Sequence, residues 1–194
     1  MNNFEIEDCL NSMQIIVDSN EQASKRAQKR YDGFCCPYRV QKIDYGDYAY
    51  NFTLPNKKQL YEPDTRLYPD VCIERKADLV ELSQCFCQSR KRFKKEFERA
   101  REHGATMYLL VENATWENLI NGKYNTKYNS KAYLASITAW IARYGIKPIF
   151  CKEETSGKLI KEILYRELKE RLETGYYDSE VEEVGISIHV PCGS

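Results

Sequence analysis

The stretch Val71-Cys72-Ile73-Glu74-Arg75-Lys76 runs from apolar residues straight into three consecutive charges. Residues 71–75 read as a short buried strand. Side chains alternate across a strand, so Glu74 and Lys76 share one face while Arg75 points to the other. A carboxylate and an ammonium fixed two residues apart at a strand end suit phosphodiester chemistry. The carboxylate can bind Mg²⁺. The lysine can position or deprotonate an attacking water and offset charge on a phosphorane-like transition state.

Mg²⁺ usually takes one or two protein carboxylates, with water and phosphate completing its shell. Asp47 is the natural second carboxylate, because the tight turn Tyr45-Gly46-Asp47 delivers it to the start of a neighbouring strand. Asp18, at the exit of a first strand, is a third candidate, and Glu21 stands one helical turn further on in a supporting position. Glu-Arg-Lys at a strand end and Gly-Asp-Tyr at a turn are each commonly just solvated surface. Their joint appearance beside strands gives them weight.

The rest of the chain supplies a frame for this strand. Residues 13–17 (MQIIV) read as a buried strand, followed by an amphipathic helix with Ala23, Ala27 and Tyr31 inward and a basic outer face of Lys25, Arg26, Lys29 and Arg30. Strands are expected over 38–43, 48–52, 106–111 and 146–151, the last near a sheet edge because of Pro148. Residues 53–69, with three prolines and mixed charge, read as a loop without a core role.

Apolar spacing predicts one long helix over 79–102, a helix carrying Tyr133, Ile137, Trp140 and Tyr144, and a last helix over 156–172 with Ile160, Leu164 and Leu168 inward. This order describes an α/β protein with a mixed sheet flanked by helices. The expected organisation is an N-terminal extension over 1–12, the folded domain over 13–173, and an acidic, flexible tail over 174–194.

The formal net charge is zero, but its distribution is uneven. Residues 1–8 and 174–194 hold seven acidic residues and no Lys or Arg, which leaves 29 basic and 22 acidic side chains over 9–173. A basic body with acidic ends suits a polyanion ligand. No run of 18 apolar residues exists, and the first residues lack a signal-peptide pattern, so an intracellular setting without a membrane partner is expected. The eight cysteines include Cys35-Cys36 and Cys85-Phe86-Cys87, which lack the spacing of paired zinc ligands, and read as reduced structural thiols.

The runs IIVDSNEQ (15–22), YGDYAY (45–50), CIERKAD (72–78), RFKKEFERA (92–100), YLLVE (108–112) and YGIKPIF (144–150) resemble, in order, the nuclease domain of the XPF family of structure-specific DNA endonucleases. The resemblance covers residues 13–165, and its most specific element is Gly46-Asp47 paired with Glu74-Arg75-Lys76. It implies a restriction-endonuclease-like fold and cleavage of DNA, with branched or flapped structures as candidate substrates and no small-molecule cofactor. It also implies Mg²⁺ or Mn²⁺ held by Asp47 and Glu74 with the Arg75 carbonyl, a catalytic Lys76, and Asp18 and Glu21 in the first motif.

Pairing with a second copy or partner subunit is a further implication. The chain departs from the family pattern at Val80, where the final aspartate would stand, leaving Asp78 as a displaced substitute. It departs again at Asn20, where arginine is usual. Too little sequence follows the last helix for the helix-hairpin-helix module of larger members, which suits a bacterial or viral-host cytoplasm better than a nucleus. The alternative is a catalytically silent DNA-binding or scaffold subunit of the same fold.

Two basic segments are candidates for DNA contact. Arg90 falls on the apolar stripe between Phe86 and Phe93, aimed at a phosphate or a site carboxylate, and stands in a cluster with Lys91, Arg92, Lys94 and Lys95. The stretch NGKYNTKYNSK interleaves Lys123, Lys127 and Lys131 with Tyr124 and Tyr128, a pattern suited to phosphate contacts and base stacking.

Overall fold

The computed structural model describes residues 1–21 and 23–182. Its elements run α1 Asn3–Asn11, β1 Gln14–Asp18, α2 Lys25–Asp32, β2 Tyr38–Gln41, β3 Tyr48–Asn51, β4 Val71–Lys76, α3 Leu79–Cys87, α4 Arg90–Glu102, β5 Thr106–Glu112, α5 Trp116–Ile120, α6 Ser130–Tyr144, β6 Lys147–Cys151, α7 Glu153–Glu173 and α8 Asp178–Glu182. The strands form one six-stranded sheet in the order β2-β1-β3-β4-β5-β6. β3 runs antiparallel to β1 and β4, while the β1–β2, β4–β5 and β5–β6 pairs are parallel. Pro148 does lie on an edge strand, where its missing N–H costs no ladder bond.

Strand alternation divides the core in two. Ile15, Val17, Tyr48, Tyr50, Val71, Ile73 and Leu110 face α7, whose Ile160, Leu164, Leu168 and Leu172 form a buried stripe. Each of these leucines or isoleucines contributes about 1.5–3 kcal/mol by leaving water. Cys72, Met107, Leu109 and Val111 face the opposite layer of α3, α4 and α6. The parity of β4 therefore sends Glu74 and Lys76, with Cys72, toward the α3 and α4 layer, and Arg75, with Ile73, toward α2 and α7. Close packing of α2 on α7 depends on Gly157, since a Cβ there would sit 2.2 Å from the Arg30 carbonyl oxygen.

Several expectations are corrected. The long helix is two helices, broken at Gln88 and Ser89, where the Ser89 N–H reaches back five residues to Gln84 O. The break lets Phe86, Phe93 and Phe97 all meet the buried Trp140 ring, with centroids 4.9–5.0 Å apart. Residues 53–69 do have a core role. Leu54 is buried against the α7 side, and Leu67 pairs with Ile43 in a small cluster with Ile16 and Ala49. Gln41 and Asn51 side chains tie the same segment down through Glu62 O, Thr65 O and the Tyr61 backbone.

The two ends are packed as far as they are described. In α1 an Asn2–Glu5 capping box starts the helix, and Cys9 and Met13 enter the core. Beyond residue 174, Tyr177 is buried, its hydroxyl 2.6 Å from that of Tyr50 and 2.9 Å from Asp70 Oδ2. The N-terminal ammonium meets Asp178 at 2.9 Å. Packing thus continues past both expected boundaries, while the rest of the acidic tail, 183–194, lies outside the described residues. The seven described cysteines are unpaired. No described helix is long and apolar enough to cross a membrane.

Candidate active site

Asp47 reaches its position through the backbone. Gly46 adopts φ +80°, and a Cβ there would lie 2.8 Å from Cys72 Cβ, so only glycine fits this turn against β4. The Asp47 N–H then donates to Ile73 O at 2.8 Å, and its carbonyl accepts the Asp18 N–H at 2.8 Å. Its carboxylate Oδ2 accepts the Arg75 backbone N–H at 2.7 Å. Asp47, Glu74, Lys76 and Asp18 all line one cleft of about 800 Å³ between the sheet and α4.

Within the cleft, Lys76 donates to Glu74 Oε1 and lies 5.3 Å from the Phe93 ring centroid. Glu74 Oε2 is buried and has no hydrogen-bond partner. Burial, reinforced by the Glu74 charge, pushes the Asp47 carboxyl up to about 8 against the pull of Lys76. Burial also pushes Glu74 up to about 7, with Lys76 opposing and Glu96 adding to the rise. For Lys76 burial works downward, but the Glu74 and Asp47 carboxylates outweigh it and hold the ammonium above its usual range. Two carboxylates that resist ionisation together, one with an orphaned oxygen, form a donor set that a divalent cation would satisfy.

The other expected residues divide. Asp18 is at the cleft, but both its oxygens are engaged by Lys42 Nζ, at 3.0 and 3.2 Å, and Oδ1 also takes the Ile43 N–H at 3.0 Å. Arg75 turns its guanidinium to the far face, onto Glu112 at 3.2 Å and Glu21 at 3.5 Å. Glu21 consequently supports Arg75 and the Tyr48 hydroxyl and does not line the cleft. Asp78 cannot replace a cleft carboxylate, because it caps α3 by accepting the Glu81 N–H at 2.8 Å. Val80 lines a separate surface groove with Ser83 and Tyr128.

Of the basic residues, Lys91, Arg92 and Lys95 line the cleft, whereas Arg90 and Lys94 do not, and Lys94 pairs with Glu98. Arg90 is exposed because the break at Ser89 ends the stripe on which it was placed. Tyr124 and Tyr128 are not free platforms. Both rings pack on Tyr133, with centroids 5.4 and 4.9 Å away, and their hydroxyls bond Tyr128 O and Ser136 Oγ. Lys123 and Lys127 are exposed on the same segment, away from the cleft.

Three features were missed. Glu96 accepts the Gly46 N–H at 3.0 Å and lines the cleft. Its signal was present, since it stands three residues after Phe93 and four before Ala100, on the buried side of α4. Arg30, assigned to a solvated face, is buried, with Nε and Nη2 on Glu112 at 2.9 and 3.2 Å. Lys42, Arg66 and Arg99 complete the basic wall, the last two paired with Asp44.

The six-stranded mixed sheet flanked by helices is a restriction-endonuclease-like fold, with the carboxylate pair and the lysine at one end of its antiparallel turn. Residues 17–163 match the ERCC4 domain, and the chain belongs to that family, the XPF-type nuclease domains. The structure of XPF from Aeropyrum pernix aligns at 17% identity with a TM-score of 0.54, covering 79% of this chain and 61% of that one. XPF from Aeropyrum pernix in a complex with DNA aligns at 17% identity and a TM-score of 0.54, covering 89% and 74%. No curated protein matches the sequence.

Proposed function

We propose that the protein is a metal-dependent endonuclease that hydrolyses DNA phosphodiester bonds, with branched or flapped DNA as the first substrates to test. The observation that carries this reading is the unpartnered, buried Oε2 of Glu74, a residue that lines the same cleft as Asp47. Asp47 and Glu74, with the Arg75 carbonyl, would hold Mg²⁺ or Mn²⁺, and Asp18 fixes the strand end beside them. The ion would supply Lewis acidity toward the scissile phosphate and its attacking water.

The chain's own groups then have defined tasks. Lys76, kept protonated by its two carboxylate neighbours, is a fixed positive charge facing the cleft. In that state it stabilises the charge that builds on the phosphoryl oxygens. Lys91, Arg92 and Lys95 on one wall, with Lys42, Arg66 and Arg99, offer backbone phosphates a positive path to that point. DNA in the complex belongs to the Aeropyrum pernix protein, and supports the same ligand class here.

Incubation with a panel of duplex, flap, fork and junction DNA, in Mg²⁺, Mn²⁺ or chelator, tests this reading. Cleavage that requires the cation is expected. Salt-sensitive binding without any cleavage would favour a silent DNA-binding subunit. Neither binding nor cleavage would overturn both.

A further inference from the structure

Asp44 and Glu96 are the two cleft carboxylates outside the nuclease motif, and Asp44 is taken up by Arg66 and Arg99, which leaves Glu96 without a role. It projects from α4 onto the turn that carries Asp47, with Oε1 accepting the Gly46 N–H. It lines the same cleft as Glu74 and Asp47. In that cleft wall Glu74 Oε2 is buried without a donor. A hydrated cation supplies the missing donors, because its bound waters present O–H groups to carboxylates around it. Among the described residues no three acidic, cysteine or histidine side chains converge closely enough to ligate one ion directly. Glu96 would therefore act from beyond the inner shell, where Mg²⁺ and its like retain water.

We propose that Glu96 is a positioning residue of the cation site, accepting a hydrogen bond from a water of the ion's shell while its other oxygen holds the Gly46 turn. This rests on the metal-dependent reading above. It gives α4, the helix that also carries Lys91, Arg92, Lys95 and Arg99 of the basic wall, a water-mediated hold on the ion. It also supplies a third negative charge that neither Asp78 nor the position of Val80 provides.

Glu96→Gln separates the two tasks, since the amide oxygen still accepts the Gly46 N–H while the charge is gone. Mn²⁺ binding to the full chain is read by electron paramagnetic resonance for wild type, Glu96→Gln and Glu98→Gln, with thermal unfolding of each metal-free protein. The expected result is a loss of about 10- to 100-fold in Mn²⁺ affinity for Glu96→Gln. Its metal-free melting temperature should stay at the wild-type value, and Glu98→Gln should bind as wild type does. Wild-type affinity in Glu96→Gln would overturn the inference and leave the endonuclease reading standing. A collapse of metal-free stability in Glu96→Gln would also overturn it, by showing that the charge serves the fold. Absence of Mn²⁺ binding to the wild-type protein would overturn both.

Discussion

Arg75 holds Asp47 through its backbone and not through its charge: its N–H donates to Asp47 Oδ2 at 2.7 Å, while its guanidinium lies across the sheet on Glu112. One neutral donor does not offset the burial of Asp47 beside Glu74, so the Asp47 carboxyl is raised from 3.8 to about 8. A carboxyl whose folded pKa is raised contributes stability that is complete below the unfolded value and is lost as pH rises through the folded one. The metal-free protein should therefore lose stability between about pH 4 and pH 8 through this group, and through Glu74, raised from 4.5 to about 7. Asp47→Asn, which keeps an acceptor for the Arg75 N–H, should stabilise the metal-free protein at pH 8 by about 1–3 kcal/mol and have little effect at pH 4. Urea unfolding at the two pH values checks this, and equal effects at both would contradict it.

The turn before Asp47 admits no side chain. Gly46→Ala combines a positive φ with a 2.8 Å approach to Cys72, and should cost about 1–3 kcal/mol in chemical denaturation. It should also lower cation affinity, because Asp47 moves with the turn. Wild-type stability would show that the β3–β4 approach is looser than described.

Arg30 and Glu112 form a buried bidentate pair joined by Arg75, Glu21 and the Tyr48 hydroxyl. Arg30→Ala leaves Glu112 and Glu21 short of partners and should cost on the order of 3 kcal/mol or more. A double-mutant cycle with Glu112→Gln should show strong coupling. Additive losses would mean that the two residues are stabilised independently.

The cleft divides one basic cluster in two, with Lys91, Arg92 and Lys95 lining it and Arg90 and Lys94 outside. Alanine at Lys91, Arg92 or Lys95 should weaken duplex DNA binding and reduce the salt slope by up to about 0.9 for each lost phosphate contact. Alanine at Arg90 or Lys94, both outside the cleft, should leave the slope unchanged. Fluorescence anisotropy over a salt series distinguishes the sets, and equal losses from both would reject the cleft as the DNA path.

The strand-face relation of Glu74, Lys76 and Arg75 was legible in the sequence, because alternation along one strand is a local rule and β4 obeys it. The turn delivering Asp47 was legible for the same reason. Contacts between segments distant in sequence were harder to read. Arg30 looked solvated on a helix rich in basic residues, and only the return of β5 brings Glu112, 82 residues away, beneath it. Asp78 and Asp18 were carboxylates near the right strand ends, yet backbone N–H groups and Lys42 had stronger claims on them. Extending one helical stripe across Ser89 placed Arg90 inward and hid Glu96, whose position follows once the helix is broken there. Tyr124 and Tyr128 fitted a stacking pattern, but Tyr133 offered them a buried face.

The proposed endonuclease activity requires Asp47, Glu74 and Lys76 to work as one phosphodiester-cleaving site. Single-turnover cleavage of a flap or fork DNA in Mg²⁺ by wild type, Glu74→Gln and Lys76→Ala, each with wild-type circular dichroism, measures it most directly. Both variants should lose at least about 10²-fold in rate, as expected when a group that stabilises transition-state charge is removed. Undiminished cleavage by both folded variants would place the chemistry elsewhere.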